Sequence, residues 1–182
     1  MVDETRRAAI IGVVTASDRA SIGLYEDRSG PAIVAYLTKI LTSPFHILRK
    51  IVPDGFESVR DTLIDLADKE HCDLILTTGG TGPSPRDLTP EATEAAAARI
   101  LPGFGELMRQ ESLKQVPTAI LSRQIAAHRG PCLVINVPGK PASIETCLNA
   151  VFPAVPYCLD LIGAAYIETD AAILKSFRPK QS

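Results

Sequence analysis

The stretch L-I-L-T-T-G-G-T-G-P-S-P-R-D-L-T-P-E, residues 74–91, decides how the rest of the chain is read. Leu74, Ile75 and Leu76 form a short apolar run ending at Thr77 and Thr78, the pattern of a buried strand. Gly79, Gly80 and Gly82 then surround Thr81. Lacking a Cβ, such positions accept φ > 0 and let a ligand approach backbone N–H groups. Pro83 and Pro85 stiffen the loop and remove two donors from it. After Arg86 and Asp87, Thr89-Pro90-Glu91 reads as a helix start, with Thr89 at N-cap and Pro90 at the first helical position. Strand, glycine loop and helix N-terminus in that order make an anion site at the carboxyl edge of a parallel sheet.

The glycines alone are equally well explained as a tight connection between strand and helix. Neither G-x-x-x-x-G-K-[ST] nor G-x-G-x-x-G occurs, which argues against a P-loop and against a dinucleotide Rossmann site. Arg86 and Asp87 tip the balance. A cation suits a phosphate oxygen, and a carboxylate facing an anion site makes sense chiefly with a metal ion between them.

Upstream, A-A-I-I-G-V-V-T at residues 8–15 is a near-continuous apolar run, as expected of a parallel strand buried on both faces. Residues 16–21 follow as a loop, and Ser17 and Asp18 there can also reach a ligand in the crevice outside the strand ends. Residues 27–41 predict a helix with Ile33, Val34, Leu37, Ile40 and Leu41 at helical spacing. A second strand is predicted over 45–52. It is closed by Pro53-Asp54-Gly55, a turn signal that explains Asp54 without any function. A helix over 57–68 leads to the glycine-loop strand.

Downstream, the helix opened at Thr89 is expected to run to Ile100 through the strong helix formers Ala95–Ala98. Another covers 103–114, and residues 119–124 form a short helix or turn. A fourth strand over 131–136 ends at Asn136, and Val137-Pro138-Gly139-Lys140-Pro141 makes a second tight loop. Residues 142–150 and 150–162 read as helices, the latter interrupted at its start by Pro153 and Pro156. The tail, residues 178–182, is expected to fray. Apolar strands alternating with amphipathic helices imply a doubly wound α/β domain. Residues 1–182 are read as a single domain.

Composition excludes several classes. Formal net charge is -2 with no basic block, so no nucleic-acid partner is indicated. Cys72, Cys132, Cys147 and Cys158 form no C-x-x-C, and free thiols in a reducing compartment are the expectation. His46, His71 and His128 are scattered, without H-E-x-x-H, which argues against zinc. No run of ~20 apolar residues and no signal peptide is evident, so the reading is cytoplasmic with no membrane association.

The parallel-sheet rule gathers Ser17-Asp18, Asp54, the glycine loop with Asp87, and Asn136 with Pro138-Gly139 on one edge. Asp54 and Asp87 are expected on loops after neighbouring strands. Two carboxylates ~4 Å apart would repel by about 4 kcal/mol at an effective dielectric of 20. A divalent cation removes that cost, and Mg²⁺ favours one or two carboxylates, waters and substrate phosphates. The chemistry suggested is phosphoryl or nucleotidyl transfer. No nucleophile stands out: G-x-S-x-G is absent and no cysteine has an evident activating partner.

T-T-G-G-T-G-P-S-P-R-D-L-T-P-E-A-T at residues 77–93 closely resembles the signature of the molybdopterin-binding Mog family, whose relatives include plant Cnx and animal gephyrin domains. S-D-R-A-S at 17–21, P-G-F-G-E-L-M-R at 102–109, T-A-I-L-S-R-Q at 118–124, V-P-Y-C at 155–158 and F-R-P-K at 177–180 agree. The resemblance covers nearly the whole chain and is to the bacterial Mog branch rather than the shorter MoaB-like branch. It implies a three-layer α/β/α fold with a mostly parallel sheet and a homotrimer. It also implies adenylylation of molybdopterin by ATP with Mg²⁺, releasing pyrophosphate, with the molybdenum-insertion enzyme as a further partner.

By position, Asp54 and Asp87 correspond to the family's essential aspartates, here the catalytic and Mg²⁺-holding pair. Thr78, Gly79, Gly80, Thr81 and Gly82 correspond to its ligand-cradling loop, and Asn136, Pro138 and Gly139 to its second loop. Where the family often carries a lysine just after the second proline of that loop, Ala142 stands here; Lys140, two residues earlier, is expected to substitute, and Ser143 fits. Ser17, Asp18 and Ser122 complete the substrate-binding set. Arg123 is expected to contact the pterin or a phosphate, and Arg86 is either a charge partner or a solvated surface arginine. The rival readings are a non-catalytic pterin-binding scaffold and a nucleotide pyrophosphatase related to the competence-damage family.

Overall fold

A computed structural model describes residues 7–179. Strand β1 (Ala9–Ala16) is buried along almost its whole length and is the centre of the fold's first half. A four-residue helix, α1 (Asp18–Ser21), follows, where a loop was expected. Helix α2 (Ser29–Ile40) carries Ile33, Leu37 and Ile40 inward. Strand β2 (Phe45–Val52) has the expected bounds and is half-exposed, as an edge strand is. Helix α3 (Phe56–Asp68) and the fully buried strand β3 (Leu74–Thr78) come next.

Helix α4 (Thr89–Ala96) departs from expectation at both ends. Its N-cap is Leu88, not Thr89, with no side-chain capping bond, so Pro90 is the second helical residue. It stops at Ala96 rather than Ile100. Residues Arg99–Ile100 form the short strand β4 instead, and the Ala98 N–H donates to the His128 carbonyl at 2.8 Å. Helix α5 (Pro102–Leu113) and a 3-10 turn (Pro117–Leu121) lead to a strand the sequence did not announce, β5 (Ala126–Arg129). Strand β6 (Cys132–Val137) runs one residue past Asn136. Helices α6 (Pro141–Val151) and α7 (Val155–Ile162) are separated by a 3-10 turn at Phe152–Ala154, where Pro153 sits.

The six strands form one mixed sheet in the order β2-β1-β3-β6-β5-β4. The β1–β2, β1–β3 and β3–β6 pairs are parallel, and β5 and β4 are added antiparallel. Alternation along the strands sends side chains to two cores. Ile11, Val13, Leu74, Leu76, Leu133 and Ile135 meet α2, α5, α6 and α7 on one face. Val14, Ile75 and Val134 meet Val59, Leu63 and Leu66 of α3 and Ala92 and Ala96 of α4 on the other. That is the expected three-layer α/β/α arrangement.

The parallel register brings the carboxyl ends of β1, β2, β3 and β6 to one edge of the sheet. The order in which strands are added reverses at β1, with β2 on one side and β3 on the other, and ligand sites of open α/β sheets form at such switch points. Beyond α7 the chain folds back over the far end. The buried Asp73 carboxylate accepts N–H groups from Ile10 and Ala165 and pairs with Arg7. The tail is held at Arg178, which pairs with Asp160 and lies 4.1 Å over the Tyr166 ring. Fraying expected from there is not seen at Arg178, and residues 180–182 lie outside the described part.

Candidate functional site

The switch point is lined by backbone. Gly79 has φ +96° and Gly80 φ +62°, values that favour glycine. An added Cβ on Gly79 would stand 2.2 Å from the Ala16 carbonyl oxygen, so the loop's first residue is glycine because β1 leaves no room. Gly139, from the second loop, would place a Cβ 3.1 Å from Gly79 Cα, so the two tight loops are in contact. Thr78 Oγ1 donates to the Pro138 carbonyl at 2.9 Å and Ser29 Oγ to the Gly139 carbonyl at 2.8 Å, fixing the second loop against the first.

Two cavities flank this pair of loops. One, of about 250 Å³, is lined by Ala16, Ser17, Gly79, Gly80, Asp54 and Asp87, with Arg19, Tyr25, Arg28 and Arg86 at its edge. The other, of about 310 Å³, lies on the Thr81–Gly82 side and reaches Arg109 and Ser112 of α5, Val116 and Leu121 around the 3-10 turn, and Ser122, Pro138, Lys140 and Ser143. Both expected carboxylates therefore share one cavity, although not by the expected route. Strand β1 lies between β2 and β3, so Asp54 and Asp87 do not follow neighbouring strands.

The β1 loop bridges the gap. The Asp18 N–H donates to Asp54 Oδ2 and the Asp54 N–H donates to Asp18 Oδ1, each at 3.0 Å. Ser17 caps α1, its Oγ accepting from the Ala20 N–H at 3.3 Å. Asp18 is thus a brace for Asp54 rather than a free ligand contact, and it also faces Arg86 at 3.6 Å. Arg86 itself is exposed at the cavity edge.

Asn136 is a correction. It is fully buried on the sheet face toward α4, and its Nδ2 donates to Thr77 Oγ1 and Thr93 Oγ1, both at 2.9 Å. It lines neither cavity. Arg123 is another: its side chain turns to the Gly82 and Asp87 carbonyls and to Glu91 instead of a cavity. Burial pushes the Glu91 carboxyl up, but the hydrogen bond and charge of Arg123 outweigh it and leave the group below the usual carboxylate range. Lys140 and Ala142 line the same cavity.

Asp27 was missed as a site residue. It lines the smaller cavity, yet its carboxylate accepts from Thr15 Oγ1, the Ser29 and Gly30 N–H groups and Arg49, which fills its acceptor positions. An acid just ahead of Ser29-Gly30-Pro31 is a legible helix-start signal. Gln124 was missed as a wall of the larger cavity. Its carbonyl accepts from Arg109 at 2.8 Å, and a Cβ on Gly105 would lie 2.4 Å from it.

Asp54 and Asp87 suit a hard cation. Asp54 Oδ2 is engaged by Asp18, whereas Oδ1 receives no hydrogen bond among the described residues and faces Gly80. The Asp87 carboxylate is likewise free of hydrogen bonds among them and lies against Gly82. No group of three His, Cys, Asp or Glu side chains that could hold a metal is found among the described residues. Mg²⁺ commonly binds through one or two carboxylates with waters and substrate phosphates completing the shell, so this donor set fits it.

A glycine-walled switch point with two carboxylates in one cavity defines an α/β protein equipped to handle phosphorylated ligands. The chain belongs to the molybdopterin-binding domain family: the family described as "Probable molybdopterin binding domain" matches residues 12–157. It is 56% identical over 171 residues to molybdopterin adenylyltransferase of Helicobacter pylori, covering 94% of this chain and 97% of that one. It is 47% identical over 184 residues to the enzyme of the same name from Escherichia coli, covering 94% of each chain. The solved structure of the molybdopterin biosynthesis enzyme MoaB from Thermus thermophilus matches with a TM-score of 0.78 at 40% identity, over 87% of this chain and 99% of that one. Among the described residues no helix is long and apolar enough to cross a membrane.

Proposed function

We propose that this protein transfers the adenylyl group of ATP to molybdopterin, in molybdenum cofactor biosynthesis, with release of pyrophosphate. The observation that carries the reading is the pair of cavities that share the glycine loops as a common wall. The larger cavity, with an apolar wall of Val116 and Leu121 and polar groups from Arg109, Ser112 and Ser122, suits a pterin. The smaller, with Gly79, Gly80, the Asp54 and Asp87 carboxylates and the arginines at its edge, suits the nucleotide phosphates. Similarity above 45% identity to proteins named for this activity supports the assignment.

In this reading the terminal phosphate of molybdopterin projects past Thr81 and Gly82 toward the α-phosphorus of ATP. An oxygen of that phosphate forms the new P–O bond, and the bond to the β-phosphate breaks, its electrons leaving with pyrophosphate. Gly79 and Gly80 let the phosphates approach the backbone without a Cβ between. Lys140 and Ser143 steady the attacking phosphate, and Arg86 offers charge to the departing one. Asp54 and Asp87 would hold Mg²⁺, which supplies neutralisation of the phosphate charge. Asp18 keeps Asp54 turned into the cavity. The chain acts as a homotrimer in the cytoplasm in this reading, and hands its product to the molybdenum-insertion enzyme.

Incubation with ATP, Mg²⁺ and molybdopterin, followed by pyrophosphate detection, tests the proposal. Pyrophosphate appearing only when all three are present is the expected result. Pterin binding with no pyrophosphate would make this a scaffold, and ATP cleavage without pterin would make it a pyrophosphatase.

A further inference from the structure

One side chain joins the two cavities without lining either. Arg123 follows the 3-10 turn that walls the larger cavity, between Ser122 and Gln124, which both line it. Its N–H donates to the Thr81 carbonyl at 2.8 Å, and Nε donates to the Gly82 carbonyl at 2.9 Å. One terminal nitrogen donates to the Asp87 carbonyl and the other pairs with Glu91 on α4. Four bonds from one residue thus fall on residues 81–91.

Those residues have few other ties. Pro83, Ser84, Pro85 and Arg86 are exposed. Within the loop the Asp87 N–H donates to the Ser84 carbonyl at 2.9 Å, and at its ends the Thr89 N–H donates to the Gly80 carbonyl at 3.1 Å. The Arg123 side chain is 37% exposed, so its ion pair with Glu91 is of the screened kind that contributes little to folding. The bonds to two carbonyls do something else. They fix the distance between Gly82 and Asp87, and with it where the Asp87 carboxylate stands. A planar guanidinium presents a rigid fork of donors to both acceptors, whereas an ammonium is a point charge on a flexible stem.

We infer that Arg123 is a positioning residue. It holds the loop of residues 81–87 to the wall of the pterin cavity, so that Asp87 is set for Mg²⁺–ATP by the same segment that receives the pterin. The inference rests on the proposed use of Asp87 toward the metal. Removal of outer contacts that orient a metal-holding group typically costs about 10–100-fold in metal affinity or activity. A residue that served only the fold would instead lower stability and weaken both ligands together.

The test compares wild type, Arg123→Gln and Arg123→Lys by calorimetry with ATP in Mg²⁺ and with ATP in EDTA, alongside steady-state kinetics and thermal midpoints. For Arg123→Gln the gain in ATP affinity that Mg²⁺ confers should shrink by about tenfold or more, and kcat should fall by a similar factor. ATP affinity in EDTA and the KM for molybdopterin should stay within about threefold of wild type, and Arg123→Lys should recover little of the loss. Wild-type Mg²⁺ response in Arg123→Gln overturns the inference and leaves the proposed function standing. Equal loss of pterin and nucleotide binding with a lowered midpoint also overturns it, as a structural role. A wild-type protein whose ATP affinity ignores Mg²⁺ removes both the metal reading and this one.

Discussion

Gly82→Ala separates the shape of the glycine loop from its chemistry. Gly82 does not hold a positive φ, so alanine is not strained there. An added Cβ would, however, lie 2.8 Å from Asp87 Oδ2 and 3.9 Å from its Cγ, with nothing else within 4 Å. Ordinary contact begins near 3.4 Å, so the carboxylate must retreat by about 0.6 Å. The far end of a half-buried aspartate can do that at little cost in folding energy. Catalytic groups, by contrast, need to be held within about 0.5 Å of their productive positions, and a misplacement near 1 Å costs about 100-fold. Gly82→Ala should therefore lower kcat by about 10–100-fold, or about 1.4–2.7 kcal/mol of barrier, with a thermal midpoint near wild type. Gly79→Ala is the control, because there the Cβ meets the Ala16 carbonyl at 2.2 Å at φ +96°, and stability must suffer. Pyrophosphate release under saturating ATP and molybdopterin, read beside melting curves, makes the measurement. A fully active Gly82→Ala would refute the reasoning, since Asp87 would then tolerate displacement.

Three further outcomes follow from the same geometry. Asp87→Asn and Asp54→Asn should each cut turnover by about 100-fold or more, about 2.7 kcal/mol, while pterin affinity by fluorescence titration is retained; normal turnover in either would remove it from the site. Burial pushes the Cys72 thiol up to about 12, and burial likewise raises Cys132 and Cys147, so alkylation at pH 8 should await unfolding; rapid native labelling of these positions, read by mass spectrometry, would contradict the core packing. Because the folded Glu91 carboxyl lies below its ordinary value, its stabilising effect is complete above about pH 4.3 and is lost as pH falls through the folded value. The midpoint difference between wild type and Glu91→Gln should shrink on acidification below that point, and a difference independent of pH would show the pair to be inert.

What could be read from the residues divides along physical lines. β1, β3 and β6 were legible because strands covered on both faces must be apolar throughout, and β2 because its apolar positions end in Pro53-Asp54-Gly55. β5 and β4 were not, since Ala126–Arg129 contains no β-branched residue and Arg99–Ile100 is only two residues long. Their structure comes from pairing. The Leu101 N–H donates to the Ala126 carbonyl at 2.7 Å, and Arg129 holds the Ala96 carbonyl at 2.9 Å, ending α4 against the helical preference of its alanines.

The site shows the same division with sharper consequences. That loops after parallel strands gather at one edge is a rule of the fold, and Asp54, the glycine loop and Pro138-Gly139 do line the two cavities there. Two facts lay outside that rule. One is the face that Asn136 takes: as a residue of β6, not the end from which a loop departs, it is sent inward by strand alternation to Thr93. The other is strand order, which no local pattern encodes. Because β1 separates β2 from β3, the two carboxylates share their cavity only across the segment that follows β1, and the reciprocal bonds of Asp18 and Asp54 tie that segment to the end of β2. The S-D sequence at Ser17-Asp18 serves that crossing: the acceptor and N–H at position 18, just past the end of β1, give Asp54 a fixed partner between it and Asp87.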